Sequence, residues 1–112
     1  MLEIFNFDEY QQKSSLTAIF PGEYALEYLS IGLVSEAGEV AGKVKKIIRD
    51  ENRIISEEKR QQLSNEIGDV LWYVAQLSLE LNIPLSRVAT ENIEKLQDRE
   101  KRGQISGSGD SR

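Results

Sequence analysis

One octad of this chain is echoed thirty residues later in its apolar and acidic spacing, and the echo limits the folds open to it. Leu33-Val34-Ser35-Glu36-Ala37-Gly38-Glu39-Val40, followed by Val44, returns thirty residues later as Leu63-Ser64-Asn65-Glu66-Ile67-Gly68-Asp69-Val70, followed by Val74. Apolar residues recur at steps of three and four in both copies, which is the spacing of one face of an α-helix. Two acids three residues apart lie side by side on such a face. On a helical wheel the first acid of each pair falls roughly 60° from the centre of the apolar stripe and the second roughly 120°, on the same side. Two packed helices can therefore turn four carboxylates toward one another.

The stretches around the repeat complete a helical plan. Leu26, Leu29, Leu33, Ala37, Val40, Val44 and Ile47 predict an amphipathic helix from about residue 24 to 49, ended by Asp50-Glu51-Asn52. Leu63, Ile67, Val70, Val74, Leu77 and Leu81 predict a second over about 57–81, with Ser56 as its N-cap. The isoleucines of the connector Arg53-Ile54-Ile55 are expected to dock on the bundle. Residues 7–18 read as a short helix with Asp8 as a capping residue, closed off by Pro21-Gly22. Asn82-Ile83-Pro84 breaks the second long helix, and a last one runs from Pro84 or Leu85 to about Arg102, where Gly103 stops it. The expected fold class is all-α, an antiparallel helical bundle. Residues 1–103 form the domain and 104–112 a glycine-rich tail, read as a frayed end without regular structure. Two long apolar stripes are more than so few helices cover, so oligomerisation, as a homodimer or homotetramer, is expected to complete the bundle. Gly38 and Gly68, each between the acids of a pair, suggest close approach of another backbone at a site where glycine costs helix stability.

What the chain lacks narrows its chemistry. With no histidine and no cysteine among 112 residues, thiolate and imidazole metal sites, disulfides and histidine-based triads are excluded. Acid-base or metal chemistry must run on carboxylates, and an all-oxygen donor set suits Mg²⁺ or Mn²⁺. Four carboxylates gathered without a cation would repel and push their pKa values upward. The net charge of −5 opposes binding to a nucleic-acid backbone. No secretory signal is read at the N-terminus, and no apolar run approaches the roughly 20 residues of a membrane span, so a cytoplasmic protein is expected. On the last helix Asn92, Lys95 and Arg99 share a narrow sector, Asn92 within the apolar stripe. Lys43 extends the first acidic row and Tyr73 the second. The sole tryptophan, Trp72, adjoins the second row. Lysine and arginine here suit phosphate oxygens, and an indole can stack on a base.

GLVSEAGEVAGKVKK, NEIGDVLWYVAQL and NIEKLQDR together resemble the MazG-type all-α nucleoside triphosphate pyrophosphohydrolases, whose signature is Glu-x-x-Glu, a spacer and Glu-x-x-Asp. The resemblance runs from about TAIFPGEYALEYLSIGL through the last helix, and the ending GSGDSR is similar to that of small bacterial and phage members. It implies an oligomeric bundle that binds Mg²⁺ through Glu36, Glu39, Glu66 and Asp69, which also carry catalysis. It further implies hydrolysis of nucleoside triphosphates to monophosphate and pyrophosphate, as in nucleotide-pool house-cleaning. Lys43, Trp72, Asn92, Lys95 and Arg99 are the expected substrate-binding residues. Two other readings stand beside it. A non-enzymatic helical interaction module predicts solvated acids and no effect of Mg²⁺ on stability, and phosphoribosyl-ATP pyrophosphohydrolase belongs to the same superfamily.

Overall fold

The computed structural model describes residues 3–4, 6–110 and 112, so Ser111 of the tail lies outside the described residues. Among the described residues four α-helices follow in order: α1 (Phe7–Ser14), α2 (Ala25–Asp50), α3 (Glu57–Glu80) and α4 (Leu85–Lys101), with short 3-10 turns at Ser15–Thr17 and Gly22–Tyr24. No strand is present among the described residues. No described helix is long and apolar enough to cross a membrane.

Helix boundaries follow local chemistry. The Ser56 side chain accepts from Lys59 N at the start of α3, as its position before the acidic first turn predicts. At the end of α3, Asn82 adopts φ 57° while Asn82 N and Ile83 N donate to the carbonyls of Leu79 and Ser78. At the end of α4, Gly103 takes φ 70°, with Gly103 N and Gln104 N donating to Glu100 and Arg99. Both are Schellman closures, which occupy carbonyls that a helix end leaves free. Between α2 and α3 the chain reverses through Asn52 and Arg53, at φ 50° and 66°.

α1 is shorter than the sequence predicts. The hydroxyls of Ser14, Ser15 and Thr17 each donate to a carbonyl three residues back, which tightens the last turn into a 3-10 turn before Ala18 turns extended. Asn6, not Asp8, caps α1, accepting from Glu9 N at 2.8 Å. Asp8 instead caps another helix. Its carboxylate accepts from Ser86 N and Ser86 Oγ at 2.8 and 2.7 Å, and Gln11 Oε1 accepts from Leu85 N at 3.1 Å. Pro84, the residue before α4, supplies no side-chain cap, so α1 satisfies the N–H groups of Leu85 and Ser86 in its first turn.

α2 and α3 pack antiparallel, and their register is visible in three pairings: Gly32 meets Tyr73, Glu36 meets Glu66 and Asp69, and Lys43 meets Glu66. The seam is rotated from the stripe read in the sequence. Leu29, Leu33, Val40 and Ile47 face inward as expected, but Ala25, Glu36 and Lys43 take the places assigned to Leu26, Ala37 and Val44. On α3 the same rotation brings in Glu66 and Tyr73 and turns Ile67 out, 58% exposed. Fully inward apolar side chains are few: Ala25, Leu29, Ile47, Ala75 and Leu85. Val34, at 72%, heads a second stripe on α2 that continues through Ala37, Ala41, Val44 and Ile48 and lies open on a single chain. Ile54 and Ile55 do not dock as expected but are exposed, at 70% and 56%.

The tail is folded back rather than frayed. Arg99, 6% exposed, donates through Nη2 to the Asp110 carbonyl at 2.9 Å, and Arg102 donates to the Arg112 carbonyl. The Arg112 guanidinium bonds the carbonyls of Gln104, Ile105 and Gly109, closing a loop whose bends use Gly107 at φ 105° and Gly109 at φ 92°.

Candidate metal centre and its pocket

The antiparallel seam gathers the acids. Glu36, Glu66 and Asp69 each offer a carboxylate oxygen, and those atoms all lie within 4.8 Å of one another. Glu36 and Glu66, the first acid of each pair, are half-buried in the seam, while Glu39 and Asp69 are exposed at its edge. Glu39 stands outside the tight group of three, close enough to act on Glu36 electrostatically. Burial first, and then the charges of Asp69, Glu66 and Glu39, hold the Glu36 carboxyl above the usual glutamate range. Uncompensated like charge of this kind calls for a cation. Lys43 Nζ supplies part of it, 3.8 Å from Glu66 Oε1. The remaining donor set is wholly oxygen, which fits a hard divalent ion.

A pocket of about 370 Å³ opens beside the acids, lined by Thr17, Glu36, Asp69, Trp72 and Tyr73. Trp72 and Tyr73 meet edge to face, ring centroids 5.0 Å apart at 81°. Trp72 Nε1 donates to both the Ser14 carbonyl and Thr17 Oγ1, at 3.1 and 2.9 Å. Phe20 stacks on Tyr28 at 5.7 Å, tying the segment after the 3-10 turn to α2. Tyr73 is raised in pKa by burial first, then by Tyr28, Glu36 and Asp69. Its ring lies over Gly32, where a Cβ would come within 2.1 Å of Cε1. Gly32 is thus the glycine that a close approach requires. Among the described residues nothing lies within 4 Å of a Cβ built at Gly38 or Gly68, so the close backbone approach expected there is not made by any described part of the same chain.

A larger groove of about 960 Å³ runs between α1, α3 and α4, with Phe7, Tyr10, Leu71 and Ile93 in its walls. It holds none of the three clustered carboxylates. Its edge nonetheless reaches their field, since burial and then Asp69 raise the Tyr10 phenol.

The remaining sequence-derived candidates are placed differently. Asn92 and Lys95 are exposed on α4, Asn92 because the α4 stripe is itself uncovered there, and Arg99 is turned into the tail. None of the three lines the pocket beside the acids. Thr17 and Gly32 were not legible as parts of the site: Thr17 arrives through contacts with a helix 55 residues away in sequence. Tyr73, four residues beyond Asp69, was legible from spacing alone.

Residues 25–103 match the family profile of the MazG nucleotide pyrophosphohydrolase domain, a span holding all four acids. The chain is also similar to the Gene 37 protein of Mycobacterium phage L5, 51% identical over 111 residues that cover 94% of this chain and 97% of that protein. No solved structure matches it.

Proposed function

The chain belongs to the MazG nucleotide pyrophosphohydrolase domain family, and from that premise we propose that it hydrolyses nucleoside triphosphates to nucleoside monophosphate and pyrophosphate with Mg²⁺, Mn²⁺ serving in its place. The observation that carries the proposal is the convergence of Glu36, Glu66 and Asp69, whose carboxylate oxygens lie within 4.8 Å of one another at the seam of α2 and α3. Half-burial of Glu36 and Glu66 argues against the non-enzymatic interaction module, for which solvated acids were expected. Like charges gathered and partly desolvated in a helix seam cost stability unless a cation offsets them.

In this reading Glu36, Glu66 and Asp69 hold the metal, with Glu39 beside them. The ion, when bound, supplies charge neutralisation of the phosphates and a more acidic water. Water attacks the α-phosphorus, the bond from that phosphorus to the bridging oxygen breaks, and pyrophosphate leaves. Glu39, outside the tight group and exposed, accepts the proton of the attacking water. Lys43 presents a positive charge at the same edge to phosphate oxygens, and Trp72 with Tyr73 walls the base. Asn92, Lys95 and Arg99 of one chain lie away from that pocket, so their part in substrate binding requires a second copy or a movement of the tail. The open stripe from Val34 to Ile48 on α2 is the face such a copy would cover, giving a homodimer or homotetramer. The expected setting is the cytoplasm, in keeping with nucleotide-pool house-cleaning and with no nucleic-acid or membrane partner.

The test is pyrophosphate release from a panel of canonical and damaged nucleoside triphosphates. Glu39→Gln and Asp69→Asn are expected to lower kcat by about two orders of magnitude or more with helicity unchanged. Mg²⁺ at about a hundred times its Kd should stabilise the wild type by about 2.7 kcal/mol, and Glu36→Gln should remove most of that gain. Undiminished turnover in both kinetic variants would overturn the site. Turnover restricted to phosphoribosyl-ATP would replace the general substrate class with that single one.

A further inference from the structure

The acidic centre does not account for a chain of buried polar contacts behind the pocket. Gln76 on α3 is 3% exposed and Ser14, at the end of α1, is 8% exposed. Gln76 Nε2 donates to Ser14 Oγ at 2.6 Å, and that hydroxyl donates onward to the Gln11 carbonyl at 2.8 Å. The Ser14 carbonyl accepts from Trp72 Nε1 and from the Thr17 hydroxyl, at 3.1 and 3.0 Å. Trp72 and Gln76 are four residues apart on one helix, so they stand side by side and reach the same turn of α1.

An apolar side chain could fill the place of Gln76 without the cost of burying an amide. What an amide adds is direction. Bonded to Ser14, it fixes the end of α1 against α3, where the Ser14 carbonyl and, in the 3-10 turn that follows, the Thr17 hydroxyl hold the indole. An indole has a single N–H donor. With that donor held by Ser14 and Thr17 on one side and the ring held by Tyr73 on the other, Trp72 has one seat in the pocket.

Resting on the reading of this pocket as the base-binding part of the site, we propose that Gln76 and Ser14 are positioning residues. Through the end of α1 they hold the Trp72 indole and the Thr17 hydroxyl in the arrangement that a nucleotide base meets. They do not line the pocket and bond none of the clustered carboxylates, so they set affinity rather than the chemical step.

Because Trp72 is the only tryptophan, its fluorescence reports on this seat alone. Gln76→Leu keeps the bulk and removes the donor, and Ser14→Ala removes the same bond from the other end. In nucleotide-free protein, either variant should shift Trp72 emission to longer wavelength and increase its quenching by acrylamide. The KM for the best triphosphate should rise about tenfold, the equivalent of one lost buried hydrogen bond at about 1.4 kcal/mol, while kcat changes by less than about twofold. The double variant should be no worse than the more affected single one, since the Gln76–Ser14 bond is lost in both and only Ser14→Ala also loses the bond to the Gln11 carbonyl. Unchanged emission and KM in folded Gln76→Leu, or a fall in kcat with KM constant, overturns the proposal. Should Gln76→Leu not fold, Ser14→Ala carries the same measurements. If the wild type releases no pyrophosphate, the functional reading fails, and the nucleotide-free fluorescence still decides whether these residues seat Trp72.

Discussion

Gly32→Ala measures how tightly the pocket wall is built. An added Cβ would lie 2.1, 2.5 and 2.7 Å from Cε1, Cζ and Cδ1 of Tyr73, all ring atoms of a half-buried side chain. Carbon atoms pack at about 3.5–4.0 Å, so the ring must withdraw by more than about 1 Å. Overpacking of this kind costs about 1–3 kcal/mol. Replacing a helix-interior glycine with alanine returns about 1 kcal/mol, which blurs the single measurement. Gly38→Ala removes the ambiguity, for it gains the same propensity on the same helix with none of the described residues of its own chain within 4 Å of its Cβ. The difference between the two variants therefore isolates the overlap, about 1–3 kcal/mol, with Gly32→Ala the less stable. Thermal unfolding at matched protein concentration should show a gap of at least about 4 °C. The effect should also reach the site, because Tyr73 is the edge-to-face partner of Trp72. Trp72 emission should change in Gly32→Ala and not in Gly38→Ala. Equal melting temperatures for the two alanine variants would refute the seating of Tyr73 on Gly32 and the register of α2 on α3 that follows from it.

Two further outcomes concern the helix ends. Hydrogen bonds from the Ser86 side chain and then its backbone N–H hold the Asp8 carboxyl below the usual aspartate range. A carboxylate depressed in the folded state adds stability above its unfolded pKa and loses it as pH falls through the folded value. Asp8→Ala should thus lower the melting temperature at neutral pH, and the gap from the wild type should close in acid below the aspartate range. A gap independent of pH would show that the carboxylate does not cap α4. At Gly103, φ 70° is a left-handed conformation that costs an L-residue about 1–2 kcal/mol. Gly103→Ala should loosen the closure of α4, raising amide exchange at Gln104, whose N–H bonds the Arg99 carbonyl, and freeing the tail from Arg99. Unaltered exchange there would rule that closure out.

Much of the plan could be read before any coordinates. The long helices begin and end within a residue or two of where their periodicity and caps put them, because Ser56, Asn82 and Gly103 act on neighbours a few residues away. The paired acids were legible for the same reason: their spacing is a property of one helix, and their duplication a property of two. The phase of the seam was not legible. Leu26, Ala37 and Val44 carry the apolar periodicity of α2, whereas the places turned toward α3 include the charged Glu36 and Lys43, which hydropathy alone assigns to solvent. A helical wheel cannot say which stripe meets α3.

By itself, then, the sequence determined an all-helical chain, the positions of its breaks, and the absence of histidine and cysteine, which leaves carboxylates as the donors for any acid-base or metal chemistry. These follow from local hydrogen bonding and from which side chains exist at all. Only the tertiary structure decided that Glu36 and Glu66 enter the seam, that Glu39 stands apart from the closest three acids, and that Trp72 is tied to the end of α1. It also decided that Asp8 caps a helix 78 residues away rather than its own. Such contacts join groups far apart in the chain, and their geometry depends on the rotation and register of whole helices, which no short window of residues contains.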